Sequence, residues 1–487
     1  MLNQSLKQIR KSPPRKTLII PMEIVERELN GNLLLILEAV SRGWQCIIGT
    51  KKAIFPHLDV LPKGVVFLKS LTTADIEITK KLRNLGHIPV SQDVEGLIYT
   101  SMEEFATVRF HEDSVKNAEK IFFWGDVQRN AVASFFPDHA ARMIATGSPI
   151  ADTWHPVMAP FYQSRIDDIR SRFGKYIIIP SSFGTANHFM GKRGNANLMK
   201  KGKFVAEEKE EDFYKFWEAY ENHLEKMFYA FLNFLPGLSQ AFPDHRIIVR
   251  PHPSESHETW KEAAKGLNNV TVIFEGVVAP WLLGADAVLH WGCTTGLEGY
   301  LMGKPVVAYN PSTPEEDVKF EHKLPHSISI VTRDEKQTIG ALKEVIAAPT
   351  TVLENYPSVE KGQQELSSWV MRTDDGKDSA FRLMDEIEKL DPSPASMDIF
   401  TVRKDPLKEQ ILQTLVSIFD IFKPALKLLP PRIRHSIESR AYGRHKTRNI
   451  DVQVFNTSIH KLEEIKSKGP VGTAPVHKNM FWVGPQS

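Results

Sequence analysis

Short apolar runs closed by Gly, Pro or polar residues alternate along this chain with stretches whose apolar residues return every three or four positions. The first pattern marks a strand buried on both faces, the second an amphipathic helix. Residues 17–20 (TLII) read as a strand stopped by Pro21, residues 26–41 as a helix with Gly43 behind it, and 45–48 as the next strand. A helix is expected near Ala53, then strand 65–68, helix 74–84, strands 88–91 and 121–124, helix 128–136 and strand 143–146. A connecting helix at 161–172 leads to a second alternation. It runs through strand 176–180, a long helix 210–234, strand 246–250, helix 259–264, strand 270–274 and helix 280–283. Strand 287–290, helix 295–302, strand 305–309 and strand 328–332 complete it, and a helix at 379–390 is placed to return onto the first half. Such alternation with short turns builds parallel, doubly wound sheets. The expected fold is α/β: two Rossmann-like doubly wound domains facing a cleft, plus a helical C-terminal appendage.

The expected boundaries are 1–165 for the first domain, 166–392 for the second and 393–487 for a helical, basic tail. In the tail, Leu412, Leu415, Val416, Phe419 and Phe422 recur at helical spacing within 408–427, and 432–448 is rich in Arg, His and Lys. That segment suits either a helical hairpin against the body or a docking surface for an anionic membrane or partner protein. The basic stretch 187–203 reads as an excursion over the site.

At 487 residues the chain exceeds what one core accommodates. Its 61 basic and 59 acidic residues leave a net charge of +2, which gives no drive toward nucleic acid. Cys46 and Cys293 are the only cysteines, too few for a disulfide framework or a multi-cysteine zinc site, and suit a reducing cytoplasm. No HExxH-type pair occurs among the 17 histidines, so no metal is expected. The apolar run TLIIP is too short for a signal peptide, and no run approaches the ~18 apolar residues of a spanning helix. The expected location is cytoplasmic, or peripheral at the inner face of the membrane.

In doubly wound sheets, ligands bind beyond the carboxyl ends of the strands. Several motifs fall there. RIIVRPHPSES sets Arg250, His252 and Pro253 at the end of a strand. Arg250 offers a fork of donors, and a prolyl-restrained imidazole offers an electrostatic stabiliser or general acid for a departing phosphate. The alternative is that RPHP only terminates the strand. HWGCTTGLEGY places Cys293, Thr294 and Thr295 at a helix start with Glu298 one turn on. Hydroxyls and helix-opening N–H groups cradle a phosphate, while Glu298 suits a ribose hydroxyl. A capping box, Thr295 answered by Glu298, is the alternative. Ser181 and Ser182, with Gly184, follow the first strand of the second half, where small residues let a phosphate approach. In the first half, SQDVEGLIY places Asp93 and Glu95 at a strand end, where either suits a base for an acceptor hydroxyl. Asp126 and Ser148 lie in further strand-end loops and are candidate acceptor contacts.

Together these residues resemble a GT-B glycosyltransferase. More narrowly, the chain resembles bacterial surface-carbohydrate biosynthesis proteins related to capsule Kdo transferases and bacterial sialyl- and polysialyltransferases. That group carries an acidic-acidic-Gly motif, an HP motif and a paired Ser/Thr motif. The last two match at His252-Pro253 and Thr294-Thr295, whereas Val94 replaces one acidic residue and leaves Glu95-Gly96 with Asp93 one position earlier. The resemblance spans roughly residues 17–390. It implies transfer of a CMP-activated nonulosonic or Kdo-type sugar to a hydroxyl of a glycan or lipid-linked glycan. His252 and the Thr294/Thr295 region would hold the phosphate and Glu95 or Asp93 would serve as base, without an obligatory metal or other cofactor. A contact with membrane or a complex would run through 408–448. Rival readings are a CDP-glycerol-type polyol-phosphate transferase, a UDP-sugar enzyme of the same fold, and a non-catalytic scaffold of a polysaccharide assembly complex.

Overall fold

Fourteen strands form two sheets in the computed structural model, which describes residues 13–99, 101–189, 191, 210–349, 356–371, 377–397 and 449–486. The first sheet contains six parallel strands: β1 (Thr17–Met22), β2 (Gln45–Thr50), β3 (Val65–Leu68), β4 (Ile88–Gln92), β5 (Lys120–Phe123) and β6 (Met143–Ala145). Their spatial order is β2-β1-β3-β4-β5-β6. The second, wholly parallel, contains β7 (Tyr176–Pro180), β8 (Arg246–Arg250), β9 (Val270–Val272), β10 (Ala287–His290), β11 (Val306–Tyr309) and β12 (Ile330–Thr332). Its order is β12-β11-β10-β7-β8-β9. Both sheets are doubly wound about their first strand. Connections leave β7 and β10 toward opposite edges, so a crevice opens between the carboxyl ends of these two strands.

The helices that bear on the site are α1 (Val25–Ser41), α2 (Ala159–Phe173), α3 (Glu210–Ala241), α4 (Thr294–Leu301), α5 (Ser379–Glu388) and α6 (Val452–Lys466). One apolar body joins the inner faces of the two sheets, running from Leu18, Ile20 and Leu33 through Phe161 and Trp281 to Ile178 and Ile248. The outer faces have their own cores, around Ile19, Ile47 and Val66 in the first sheet and Ile177, Ile179 and Phe231 in the second. Neighbours in one strand, such as Ile177 and Ile178, thus belong to different cores, as the pleat requires. Helix α5 returns to the first domain as expected. Arg42 of α1 donates to Asp385 at 2.7 Å and Glu388 at 2.9 Å, and the Ser379 N–H donates to Asp152 at 2.8 Å.

The C-terminal segment departs from the expected helical tail. Beyond α6, strands β13 (Val471–His477) and β14 (Met480–Pro485) form an antiparallel hairpin whose second strand pairs with β2, making the first sheet eight-stranded. The first domain therefore does not end at residue 165. Asn479 takes a left-handed conformation, φ 60°, in the hairpin turn. Phe481 and Val483 enter the inner core, Trp482 enters the outer one, and the Trp482 Nε1–H donates to Gln45 Oε1 at 3.1 Å. The hairpin covers the β2 edge, whose backbone groups would otherwise lack partners. Segments 408–427 and 432–448 lie outside the described residues, as does most of 187–203. Among the described residues, no helix is long and apolar enough to cross a membrane.

Candidate functional site

Three loops meet where β7, β8 and β10 end, and one buried carboxylate joins two of them. Glu255 accepts from the Ser181 hydroxyl at 2.7 Å, the Phe183 N–H at 2.9 Å, the His252 N–H at 3.1 Å and the Trp260 indole N–H at 2.8 Å. The Ser181 hydroxyl is thus spent on structure, although the residue stands in the cleft wall beside Ser182. Gly184 is needed for fit, because a Cβ there would collide with the Ser254 hydroxyl. His252 lines the cleft. The Ser254 N–H donates to its Nδ1 at 3.2 Å, and the Ser254 hydroxyl lies 2.7 Å from the same atom. An Nδ1 that accepts from a backbone N–H leaves the proton of the neutral ring on Nε2.

The third loop opens α4. Cys293 is the N-cap and makes no side-chain capping bond; Thr294 and Thr295 occupy the first two helical positions. The Gly296 N–H donates to the Cys293 carbonyl at 3.1 Å, so the helix start offers an anion the N–H groups of Thr294 and Thr295 and the positive end of the helix dipole. This geometry removes the capping-box alternative, since Thr295 lies inside the helix and Glu298 a full turn further in. Histidines held neutral by burial fix the loop. His290, lowered to about 3, accepts the Cys293 N–H at 3.3 Å and donates to the Ser329 hydroxyl at 2.9 Å. His322, lowered to about 4, donates through Nδ1 to the Gly292 carbonyl at 2.6 Å, and its Nε2 accepts from the Tyr220 hydroxyl at 2.9 Å. Burial also pushes the Cys293 thiol up to about 11, leaving it a neutral wall group.

The first domain supplies the opposite wall. Arg27 of α1 donates to Glu95 at 2.7 Å, and Arg109 pairs with Glu95 at 3.1 Å. Burial alone would raise the Glu95 carboxyl, but the charges of Arg109, Arg27 and Lys69 bring it down to about 2. Asp93 does not reach the cleft. It is 3% exposed, pairs with Arg109 at 2.8 Å and accepts the Glu95 N–H at 2.8 Å, so its role is to brace the loop. The carboxyls split in this way because the Asp93 side chain turns back onto the backbone two residues on, as in an Asx-turn, and onto Arg109.

Four further expectations change. The Arg250 guanidinium donates to the carbonyls of Glu275 (2.8 Å) and Gly276 and stacks on Phe274, which turns it away from the cleft. Pro253 is exposed beyond the cleft wall. Asp126 begins a surface helix and pairs with Arg129 at 3.0 Å. Ser148 is fully buried and caps its own short helix through the Ile150 N–H at 3.3 Å. Neither Asp126 nor Ser148 lines the cleft.

The cleft has a volume of about 570 Å³. The structure brings Glu95, Ser181, Ser182, His252, Cys293, Thr294, Thr295 and Glu298 to it. Sequence reasoning placed Trp124 in a strand-end loop that could contact an acceptor, but missed Arg27 and the other members of the aromatic wall, Trp217, Tyr220 and Trp154, as well as Glu255 behind the wall. Trp217 and Tyr220 were findable as an i, i+3 pair on α3, and Glu255 as the acidic residue that closes RPHPSE. Burial pushes the Glu298 carboxyl up to about 7 against the opposing charges of Arg27 and Arg250. Among the described residues, no three His, Cys, Asp or Glu side chains gather as metal ligands would.

No family model matches the chain, and neither does any curated protein. Solved structures with a similar backbone course include UDP-GlcNAc 2-epimerase from Neisseria meningitidis bound to UDP-GlcNAc. The identity there is 11% and the TM-score 0.43, over 77% of this chain and 99% of that one. The wall teichoic acid polymerase TagF, soaked with CDPG, is 12% identical with a TM-score of 0.47, over 77% and 88%. An S. aureus MnaA–UDP co-structure is 12% identical with a TM-score of 0.43, over 79% and 100%. The architecture itself, two doubly wound, mostly parallel sheets facing one cleft, is GT-B-like.

Proposed function

We propose that the chain is a glycosyltransferase of bacterial surface-polysaccharide synthesis that uses a CMP-activated sugar, of the nonulosonic or Kdo type, and a glycan hydroxyl as acceptor. The observation that carries this reading is the phosphate seat at the β7/β10 crevice. There the start of α4 and the imidazole of His252 line one cleft. Arg27 is the sole Arg or Lys among the described cleft-lining residues, and it is already paired with Glu95. A seat built from a helix terminus and one imidazole suits the single phosphate of a CMP-sugar better than the doubly charged diphosphate of a UDP- or CDP-linked donor.

In the proposed step the acceptor oxygen bonds to the anomeric carbon while the carbon–oxygen bond to phosphate breaks. The electron pair leaves on the CMP phosphate, where His252 and the α4 N–H groups stabilise it. No cofactor is assigned to this step. The Trp217, Tyr220, Trp124 and Trp154 wall offers flat apolar faces against which sugar rings of the acceptor pack.

The test is nucleotide release from CMP-, CDP- and UDP-linked sugars incubated with the protein and a polysaccharide acceptor, followed by chromatography. Release of CMP alone is the expected result. Release from a UDP or CDP donor, with none from CMP-sugars, would contradict the donor assignment.

A further inference from the structure

Glu298 projects into the cleft from α4, three residues after Thr295 and so on the same helix face, roughly 4.5 Å further along the axis. Its carboxyl accepts no hydrogen bond and forms no ion pair within the described residues. The other carboxylate nominated for proton transfer that reaches the cleft is Glu95, and two guanidiniums bind it. Glu298 therefore faces the proposed reaction space with both oxygens uncommitted, next to the seat of the departing phosphate.

We propose that Glu298 is the general base that takes the proton from the acceptor hydroxyl, a role that rests on the glycosyltransferase reading above. As the acceptor oxygen bonds to the anomeric carbon, its O–H bond breaks and the proton passes to a Glu298 oxygen. The bond between the sugar and the phosphate breaks, and its electron pair departs with CMP. Charge and atoms balance between neutral carboxylic acid, glycoside and nucleotide.

The surroundings fit this role. The charged and titratable groups that act on Glu298 are Arg27 from α1, Tyr162 from α2, Arg250 from the end of β8 and Cys293 from its own helix start. Burial outweighs the two arginines and brings the carboxyl to about 7, near the pH at which the enzyme would work. Glu95, at about 2, is a far weaker base.

The experiment compares wild type with Glu298→Gln in three readouts on the same preparations: kcat against pH, CMP affinity by calorimetry, and Tm against pH. The expected kcat loss is about 10²–10⁴-fold, with CMP affinity kept within about threefold (roughly 0.6 kcal/mol) and the wild-type fall in rate on the acid side of pH 7 abolished. The native carboxyl keeps its proton up to about 7 whereas its ordinary value is 4.5. The folded state thus binds more protons than the unfolded one in that window, so wild type loses stability as pH rises through it. The Tm of Glu298→Gln minus that of wild type should therefore grow from pH 5 to pH 8.

Loss of CMP affinity in parallel with kcat would make Glu298 a ribose ligand and overturn the proposal. So would a kcat within tenfold of wild type, or a Tm difference independent of pH. Failure of the wild type to bind CMP would instead overturn the CMP-donor reading on which the proposal rests. Glu298→Asp guards against a misfolded glutamine variant, and is expected to restore part of the rate with the acid limb shifted.

Discussion

At residue 255 a carboxylate 2% exposed holds four donors from three segments, and it is the anchor through which the loops after β7 and β8 share one geometry. Glu255→Ala would strand those donors in a dry interior. The expected cost is at least about 3 kcal/mol, since each buried donor without a partner costs on the order of 1–3. Thermal unfolding checks this; a Tm within a degree of wild type would contradict it. At this scale the sequence was partly legible. A strand end can be read from RIIVRPHP, which put His252 at the cleft. Side-chain direction cannot, because residues two apart, which a regular strand points the same way, diverge once the chain leaves the strand. Arg250, two positions before His252, turns instead onto Phe274 and Trp281, and Asp93 turns onto Arg109.

Helix α4 was anticipated to within one residue, yet its cap was not, because cysteine carries no capping signature. What allows the helix to start against β10 is Gly296. A Cβ there would lie 2.6 Å from Cε1 of the fully buried His290. Gly296→Ala should push the first turn off the His290 anchor. The expected outcome is a lower Tm together with at least about a tenfold loss of CMP affinity, roughly 1.4 kcal/mol. Retention of both values would mean that the first turn is not rigid where the phosphate is placed. The β13–β14 hairpin escaped notice because Lys478-Asn479 is an unremarkable turn pair. The signal was present in the alternation of MFWV, whose residues enter opposite cores.

For the molecule as a whole, the doubly wound pattern was legible because fully buried parallel strands leave near-continuous apolar runs. Closure of the first sheet by the chain's last strands was not, since pairing over more than four hundred residues leaves no local trace. The same holds for the far side of the cleft. Arg27 and Glu95 meet across 68 positions and brace the wall opposite the phosphate seat. The account turns on that seat. Its most direct test is calorimetric titration of CMP and of cytidine into wild type and His252→Ala. Wild type should prefer CMP over cytidine by at least about a hundredfold, and His252→Ala should cut that preference about tenfold while leaving cytidine binding unchanged, as expected for one hydrogen bond to a charged phosphate. Equal affinity for CMP and cytidine, or a preference that survives His252→Ala intact, would contradict it.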